Sequence, residues 1–136
     1  MQETKKIYIV EDDSDDFMFI DEALRDVAPC LDAVRFSDAE ELFNYLQLNN
    51  NEPAPSLFII DFNLPRSSGA AIIKKLQGHS AFTDVPKVVY SNSTFPAHQT
   101  EAVACGAAAY FSKSTDMASI KQDVLEMLFY ARPAVL

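Results

Sequence analysis

Four kinds of side chain in this sequence could act together on one charged group. Glu11, Asp12 and Asp13 follow the apolar run that ends at Val10, and Asp61 follows Leu57-Phe-Ile-Ile60. Ser91, Asn92 and Ser93 follow Lys87–Tyr90, and Ser112 and Lys113 follow Ala108–Phe111. A carboxylate held at the rim of an apolar strand is ordered and partly desolvated, so Asp61 could serve as nucleophile toward a phosphoryl donor. Glu11 and Asp12 beside it would be electrostatically untenable without a cation. Clustered carboxylates with a backbone carbonyl make a hard-oxygen site suited to Mg²⁺, which keeps several waters and shares a phosphate. Such an ion would neutralise both the acids and the incoming phosphoryl oxygens. Lys113 would supply a point charge opposite it, and the Ser91 hydroxyl could donate to a phosphoryl oxygen.

Taken one at a time, these residues have plainer readings. An acid after a strand is usually a helix cap or a solvated loop residue. A lone Lys113 would be a solvated strand end, and a lone Ser91 an ordinary polar turn. Asp13, Asp15 and Asp16 read best as an acidic helix start that complements the helix dipole, with Ser14 as cap. The coincidence of four strand ends is what singles out the set.

Positioning them requires strands that finish at one edge. Five apolar runs alternate with helical patterns: Lys6–Val10, Ala33–Phe36, Ser56–Ile60, Lys87–Tyr90 and Ala108–Phe111. They are β-branched or aromatic and mostly unalternated, as in a parallel sheet covered on both faces, with the second resembling an edge strand. Phe17, Ile20, Leu24 and Val27 form one helical stripe; Ile120, Val124, Met127, Leu128 and Ala131 form another. Ser37-Asp-Ala-Glu40 reads as a capping box before Leu42, Phe43 and Leu46. Ile72, Ile73 and Leu76 mark a third helix, and Ala97–Cys105 is a faintly periodic fourth. Residues 49–55 form a polar, proline-bearing loop. Five βα units in 136 residues predict a single doubly wound α/β domain over residues 1–136, with a core of about 6–131. Ligands of such sheets bind beyond the carboxyl ends of the strands, where these polar residues fall.

Composition narrows the functions further. The chain carries 20 acidic and 11 basic residues, a net charge of −9, and no basic cluster, a poor match to nucleic acid or an anionic membrane. The charge is uneven: residues 1–62 hold 15 acids and 4 bases, whereas residues 63–136 hold 5 and 7. With only Gly69, Gly78 and Gly106, no glycine-rich phosphate loop can be written. Cys30 and Cys105 lack zinc or redox spacing and are expected to be buried, reduced thiols. The start offers no signal-peptide core and no segment reaches membrane-spanning length, so a cytoplasmic location is expected. His79 and His98 are expected to be isolated, with no acid partner.

The stretches Ile7-Tyr-Ile-Val-Glu-Asp-Asp13, Leu57-Phe-Ile-Ile-Asp-Phe-Asn-Leu-Pro65, Val88-Val-Tyr-Ser-Asn-Ser93 and Gly106-Ala-Ala-Ala-Tyr-Phe-Ser-Lys113 resemble the receiver domain of two-component response regulators. The resemblance runs from about Lys6 to Leu128. It implies a flavodoxin-like sheet of order 2-1-3-4-5 and a phosphoacceptor role for Asp61. It also implies that Glu11 and Asp12 are the acidic pair, Asp12 the direct Mg²⁺ ligand, and that Asn63 offers the metal its backbone carbonyl. Ser91 takes the place of the switch hydroxyl, Tyr110 of the switch aromatic and Lys113 of the family lysine. For Tyr110, ordinary half-buried packing is the competing reading.

A stand-alone receiver, with no output domain after Leu136, is therefore expected. It would take a phosphoryl group from a histidine kinase or phosphotransfer protein, then present its fourth helix, fifth strand and fifth helix to a downstream protein. It would be no enzyme beyond its own phosphorylation and dephosphorylation. The sequence departs from the family at Ser114, where proline is usual and often cis, and at Asn92, larger than usual. A cis bond before Ser114 would cost about 3–4 kcal/mol, so that loop either stays trans or carries strain. These departures are what would favour a pseudo-receiver that binds protein without, or with slow, phosphorylation. An aspartyl phosphatase would want Asp-x-Asp directly after the first strand; Asp13-Ser-Asp15 lies too far into the helix start. A calcium-loop reading of the acidic tract fails for want of a glycine.

Overall fold

Strands that are apolar on both faces need helices on both, and this requirement shapes the molecule. The computed structural model describes residues 5–132, so the outermost four residues at each end of the expected domain lie outside the described residues. Strand β1 (Lys5–Val10) leads into α1 (Ser14–Val27), and β2 (Leu31–Phe36) into α2 (Ala39–Leu48). Strand β3 (Leu57–Ile60) leads into a small antiparallel ribbon, β4 (Asn63–Leu64) and β5 (Ser67–Ser68). Helix α3 (Gly69–Gln77), β6 (Lys87–Ser91), α4 (Pro96–Cys105), β7 (Ala109–Ser112) and α5 (Met117–Leu128) follow. The five long strands pair in parallel in the order β2-β1-β3-β6-β7, which is 2-1-3-4-5 among the sheet strands.

Successive strand residues point to opposite faces. Ile7 and Ile9 of β1 join Leu57, Ile59, Val88 and Tyr90 under α1 and α5, where Ile20, Leu24, Ile120 and Val124 close the layer. Tyr8 and Val10 join Phe58, Ile60 and Val89 under α2 and α3, where Leu42, Leu46, Ile72, Ile73 and Leu76 do the same. The edge strand β2 is only partly covered, as its composition anticipated. Helix α4 buries Ala102 alone, the reason its periodicity is faint. Among the described residues, no helix is long and apolar enough to cross a membrane.

Several local expectations require correction. Asp13, not Ser14, caps α1, its side chain accepting from the N–H groups of Asp15 and Asp16 at 2.9 and 3.0 Å. The capping box is displaced by one residue: Asp38 accepts from the Glu41 N–H, and Glu41 reaches back to Ser37. Helix α5 ends at Leu128, leaving Ala131 beyond it, although Ala131 still packs on the core. Cys30 is exposed and Cys105 half-buried, because Cys30 sits in the turn between α1 and β2 and not on a packed face. Both thiols are free.

Lys87 is a buried lysine at the start of β6 that the hydrophobic pattern did not flag. Its ammonium donates to the Gln77 side-chain oxygen and to the carbonyls of Phe82 and Thr83, pinning the turn between α3 and β6. Burial brings its pKa down to about 8.

Gly69 opens α3 where the helix meets the loop after β3, and its N–H donates to the Phe62 carbonyl at 2.7 Å. A Cβ there would fall 2.4 Å from the Asp61 carbonyl oxygen and 3.0 Å from the Phe62 Cα, both backbone atoms that cannot swing away. Gly78 is different, since its nearest neighbour would be 3.6 Å off and its backbone is right-handed helical. Gly69→Ala is therefore expected to lose about 1–3 kcal/mol in urea unfolding. Gly78→Ala should hold or gain up to about 1 kcal/mol. Equal losses at both positions would contradict the close-approach argument.

Candidate functional site

Strands β1, β3, β6 and β7 deliver the predicted polar residues to one edge of the sheet. Glu11 follows β1 and is 1% exposed; Asp61 follows β3 and is 8% exposed; Ser91 ends β6 and is fully buried. The backbone sets them side by side: Asp61 N–H donates to the Val10 carbonyl and Lys113 N–H to the Ser91 carbonyl, at 3.0 and 2.9 Å. These bonds extend the parallel ladders one residue past the sheet.

Lys113 reaches across the edge with its side chain 7% exposed. Its Nζ lies 2.6 Å from Glu11 Oε1, 2.7 Å from Asp16 Oδ2 and 3.0 Å from Asp61 Oδ2. Burial alone would lower the lysine's pKa, but the bonds to Asp16 and Glu11 and the charge of Asp61 outweigh it and hold the ammonium above the ordinary range. Glu11 goes the other way. Burial pushes it up to about 7 from the ordinary 4.5, against the pull of Lys113 and with Asp61 adding to the rise.

One lysine therefore faces more negative charge than it can balance. Carboxylate oxygens of Glu11, Asp12 and Asp61 lie within 4.8 Å of one another, an all-oxygen group that fits a divalent metal site. They border an open depression of about 230 Å³, with Glu11, Asp61 and Ser91 buried in its floor and Asp12, Asn63 and Asn92 exposed around it. Asn63 donates its N–H to Asp61 Oδ1 at 3.3 Å, which leaves its carbonyl unengaged by that bond.

Tyr110 lies outside this depression. It is half-buried on β7, and its hydroxyl donates to the Ser93 carbonyl at 2.9 Å. His98 is not isolated as expected: its ring stacks on Phe62 at 4.2 Å, and its Nδ1 shares a hydrogen bond with the Ser93 hydroxyl. It has no acid partner, as expected, among these contacts.

Two residues at the site went unrecognised in the sequence. Asp16, assigned to the helix start, bonds Lys113 directly. Arg35 donates to the carbonyls of Glu11 and Asp12 at 3.0 and 2.9 Å, stapling the β1–α1 loop from the neighbouring strand. An arginine within the short apolar run Ala33–Phe36 was the available signal for the second.

The family model for the response regulator receiver domain matches residues 7–125. Among curated proteins, the chain is 28% identical over 86 residues to the two-component response regulator ARR9 of Arabidopsis thaliana, covering 63% of this chain and 37% of the relative. It is 30% identical over 67 residues to the two-component response regulator ORR4 of Oryza sativa subsp. indica, covering 49% and 29%. The match thus spans well under half the length of either relative. Among solved structures, the phosphorylated cyanobacterial phytochrome response regulator RcpA superposes with a TM-score of 0.84 at 26% identity, covering 94% of both chains. The Mn²⁺-bound form of response regulator Rcp1 gives 0.82 at 22% identity, covering 97% of this chain and 98% of that one.

Removing the lysine should leave the buried acids uncompensated. Lys113→Met is expected to destabilise the metal-free protein by about 3 kcal/mol near pH 8. The loss should shrink toward pH 5, where Glu11 takes up a proton. Denaturant melts of both proteins across this range test it, and a loss independent of pH would speak against the charge cluster.

Proposed function

We propose, from the premise that the chain belongs to the response regulator receiver domain family, that Asp61 accepts a phosphoryl group in a Mg²⁺-dependent reaction. The observation that carries this reading is the Asp61 carboxylate itself, buried at a strand end, bonded to Lys113 and grouped with Glu11 and Asp12. The donor would be the phosphohistidine of a kinase or phosphotransfer protein. An Asp61 oxygen forms the new P–O bond as the donor's P–N bond breaks, the electron pair leaving with the imidazole nitrogen.

Glu11, Asp12 and Asp61, with the Asn63 carbonyl, would hold the metal. When bound, it supplies positive charge against the phosphoryl oxygens. Lys113 is placed to share that role from the opposite side. The Ser91 oxygen accepts the Ser93 N–H at 3.2 Å, so its own proton can turn to a phosphoryl oxygen. The similar Rcp1 structure is of a Mn²⁺-bound form, which supports a divalent cation here as well.

The chain would act as a signalling domain and turn over no external substrate. Modification at Asp61 would draw Ser91 toward the phosphate and change how Tyr110 packs beside Ser93. A two-state shift of this kind would alter the surface of α4, β7 and α5 for a downstream protein. The acidic chain gives no support to a nucleic-acid or membrane partner. The complete set of Glu11, Asp12, Asp61, Ser91 and Lys113 weighs against a pseudo-receiver.

Incubation with a small acyl phosphate and Mg²⁺ should add one phosphoryl group by intact mass, and Asp61→Asn should add none. No adduct on the native chain would sink the proposal; an adduct surviving Asp61→Asn would mean a different nucleophile.

Metal binding should also depend on pH with a definite sign. The Glu11 pKa of about 7 is raised above the ordinary 4.5, so its contribution to metal-free stability is full below pH 4.5 and fades as pH rises through 7. The metal needs the carboxylate, so Mg²⁺ affinity should climb toward pH 7, by up to about tenfold per pH unit, and level off above it. The Mg²⁺-induced rise in melting temperature should accordingly be larger at pH 8 than at pH 5.5. Asp12→Ala should abolish it, and a flat or inverted trend would refute the assignment of Glu11.

A further inference from the structure

Lys113 is held at two ends. Its ammonium is gripped by three carboxylates, while its backbone is followed by a ring of hydrogen bonds that the proposed reaction does not use. The Ser114 hydroxyl donates to Asp123 Oδ2 at 2.6 Å. The Tyr90 hydroxyl donates to the same oxygen at 2.7 Å, and the Ser114 N–H donates to the Tyr90 oxygen at 3.4 Å. Three residues from β6, the β7–α5 loop and α5 thus close on one another. The Lys113–Ser114 peptide is trans, so no unusual bond geometry sets the loop.

The loop is not packed solidly on every side. A cavity of about 20 Å³ lies beside it, bordered by Lys113, Ser114, Tyr90 and Asp16. That volume is about the space of one water. Tyr90, by contrast, is 3% exposed and fixed in the core layer, and it directly precedes Ser91. Bonds to a carboxylate are stronger than neutral ones, and here two hydroxyls share one carboxylate oxygen.

We infer that Tyr90, Ser114 and Asp123 form a positioning network that fixes the Lys113 backbone, so that its ammonium meets Asp61, and that ties α5 to the site. The inference rests on the phosphoacceptor reading of Asp61. A proline at 114, usual in the family this chain resembles, has neither an N–H nor a hydroxyl. Of the three bonds in the ring, one therefore needs the serine hydroxyl and one needs only a residue other than proline. Burial, then the bond to Asp123, raises the Tyr90 pKa, so its hydroxyl stays a donor through the physiological range.

The test compares Ser114→Ala, Ser114→Thr and Tyr90→Phe with the native chain, using an acyl phosphate at saturating Mg²⁺. Ser114→Ala and Tyr90→Phe should slow phosphoryl uptake by about tenfold, the size of effect that a small misplacement produces. Their Mg²⁺ affinity should stay near native, and Ser114→Thr, which keeps the hydroxyl, should recover most of the rate. In a Lys113→Met background, Ser114→Ala should change the rate by less than about twofold, because the two act as a unit. A native rate in Ser114→Ala, or the same loss in both backgrounds, overturns the network.

A second readout needs no phosphodonor. The ¹⁵N signal of the Lys113 ammonium, identified by its loss in Lys113→Met, should shift or broaden in Ser114→Ala; an unmoved signal also overturns the inference. If that signal moves while the native chain takes up no phosphoryl group, the reading of Asp61 falls and the positioning network stands.

Discussion

A single ammonium set among three carboxylates is the interaction on which the rest of this site depends. Lys113 touches Glu11, Asp16 and Asp61, each within 3.0 Å, with Asp12 close by on the exposed side. One positive charge cannot balance them, and burial, with the charge of Asp61 adding to it, holds the Glu11 pKa up despite the lysine. The fold tolerates the arrangement because the depression is open, so water or a cation can supply what the protein does not. The acidity of the first half of the chain thus has a local meaning. Part of it is a cluster that needs a counter-charge, and the remainder, such as Asp15 and Glu40, lies on solvated surface.

Parallel pairing turns scattered acids into a cluster. Glu11 and Asp61 are 50 residues apart in the chain, yet β1 and β3 run in register from Ile7–Leu57 to Val10–Ile60, so both strands end together. The loop beyond β3 must then leave the sheet at once. It does so through the β4–β5 ribbon, with Arg66 at a φ of 62° in the left-handed region, and returns to start α3 at Gly69. Absence of a side chain at Gly69 lets the helix start press on the Asp61 backbone. The rim is held rigid by backbone contacts from several directions, including the Arg35 staple on β1.

Much of this was legible in the sequence because unalternated apolar runs mark both strands and their ends. The sheet, its order and the residues at its edge need little beyond that pattern and the resemblance. What escaped the pattern was angular. An α-helix turns about 100° per residue, so Asp16 shares the face of Ile20 and Leu24, four and eight residues on, which packs against the sheet. Asp16 then faces Lys113 rather than solvent, and no count of acids could reveal it. Lys87 escaped for another reason: hydrophobic patterning treats lysine as surface, whereas three oxygens from one turn can satisfy a buried ammonium. Cys30 failed in the opposite sense, since apolar neighbours in sequence do not bury a residue that sits in a turn.

The alternation of β6 explains how neighbouring residues at its end reach two layers. Tyr90 points into the layer of α1 and α5, where Asp123 receives its hydroxyl. Ser91 points into the acidic depression, and Ser93, two residues on, meets His98 of α4 and Tyr110 of β7. His98 in turn stacks on Phe62, the residue after Asp61. Any displacement of Ser91 would therefore strain contacts in both helical layers at once, through the chain itself and without a long relay. Of the helices that feel it, α4 has the least to oppose a shift, with one buried residue, no side-chain cap and no apolar stripe. Low local burial is the physical condition for an element that can be re-set cheaply, and here it lies beside the strand end that carries Ser91.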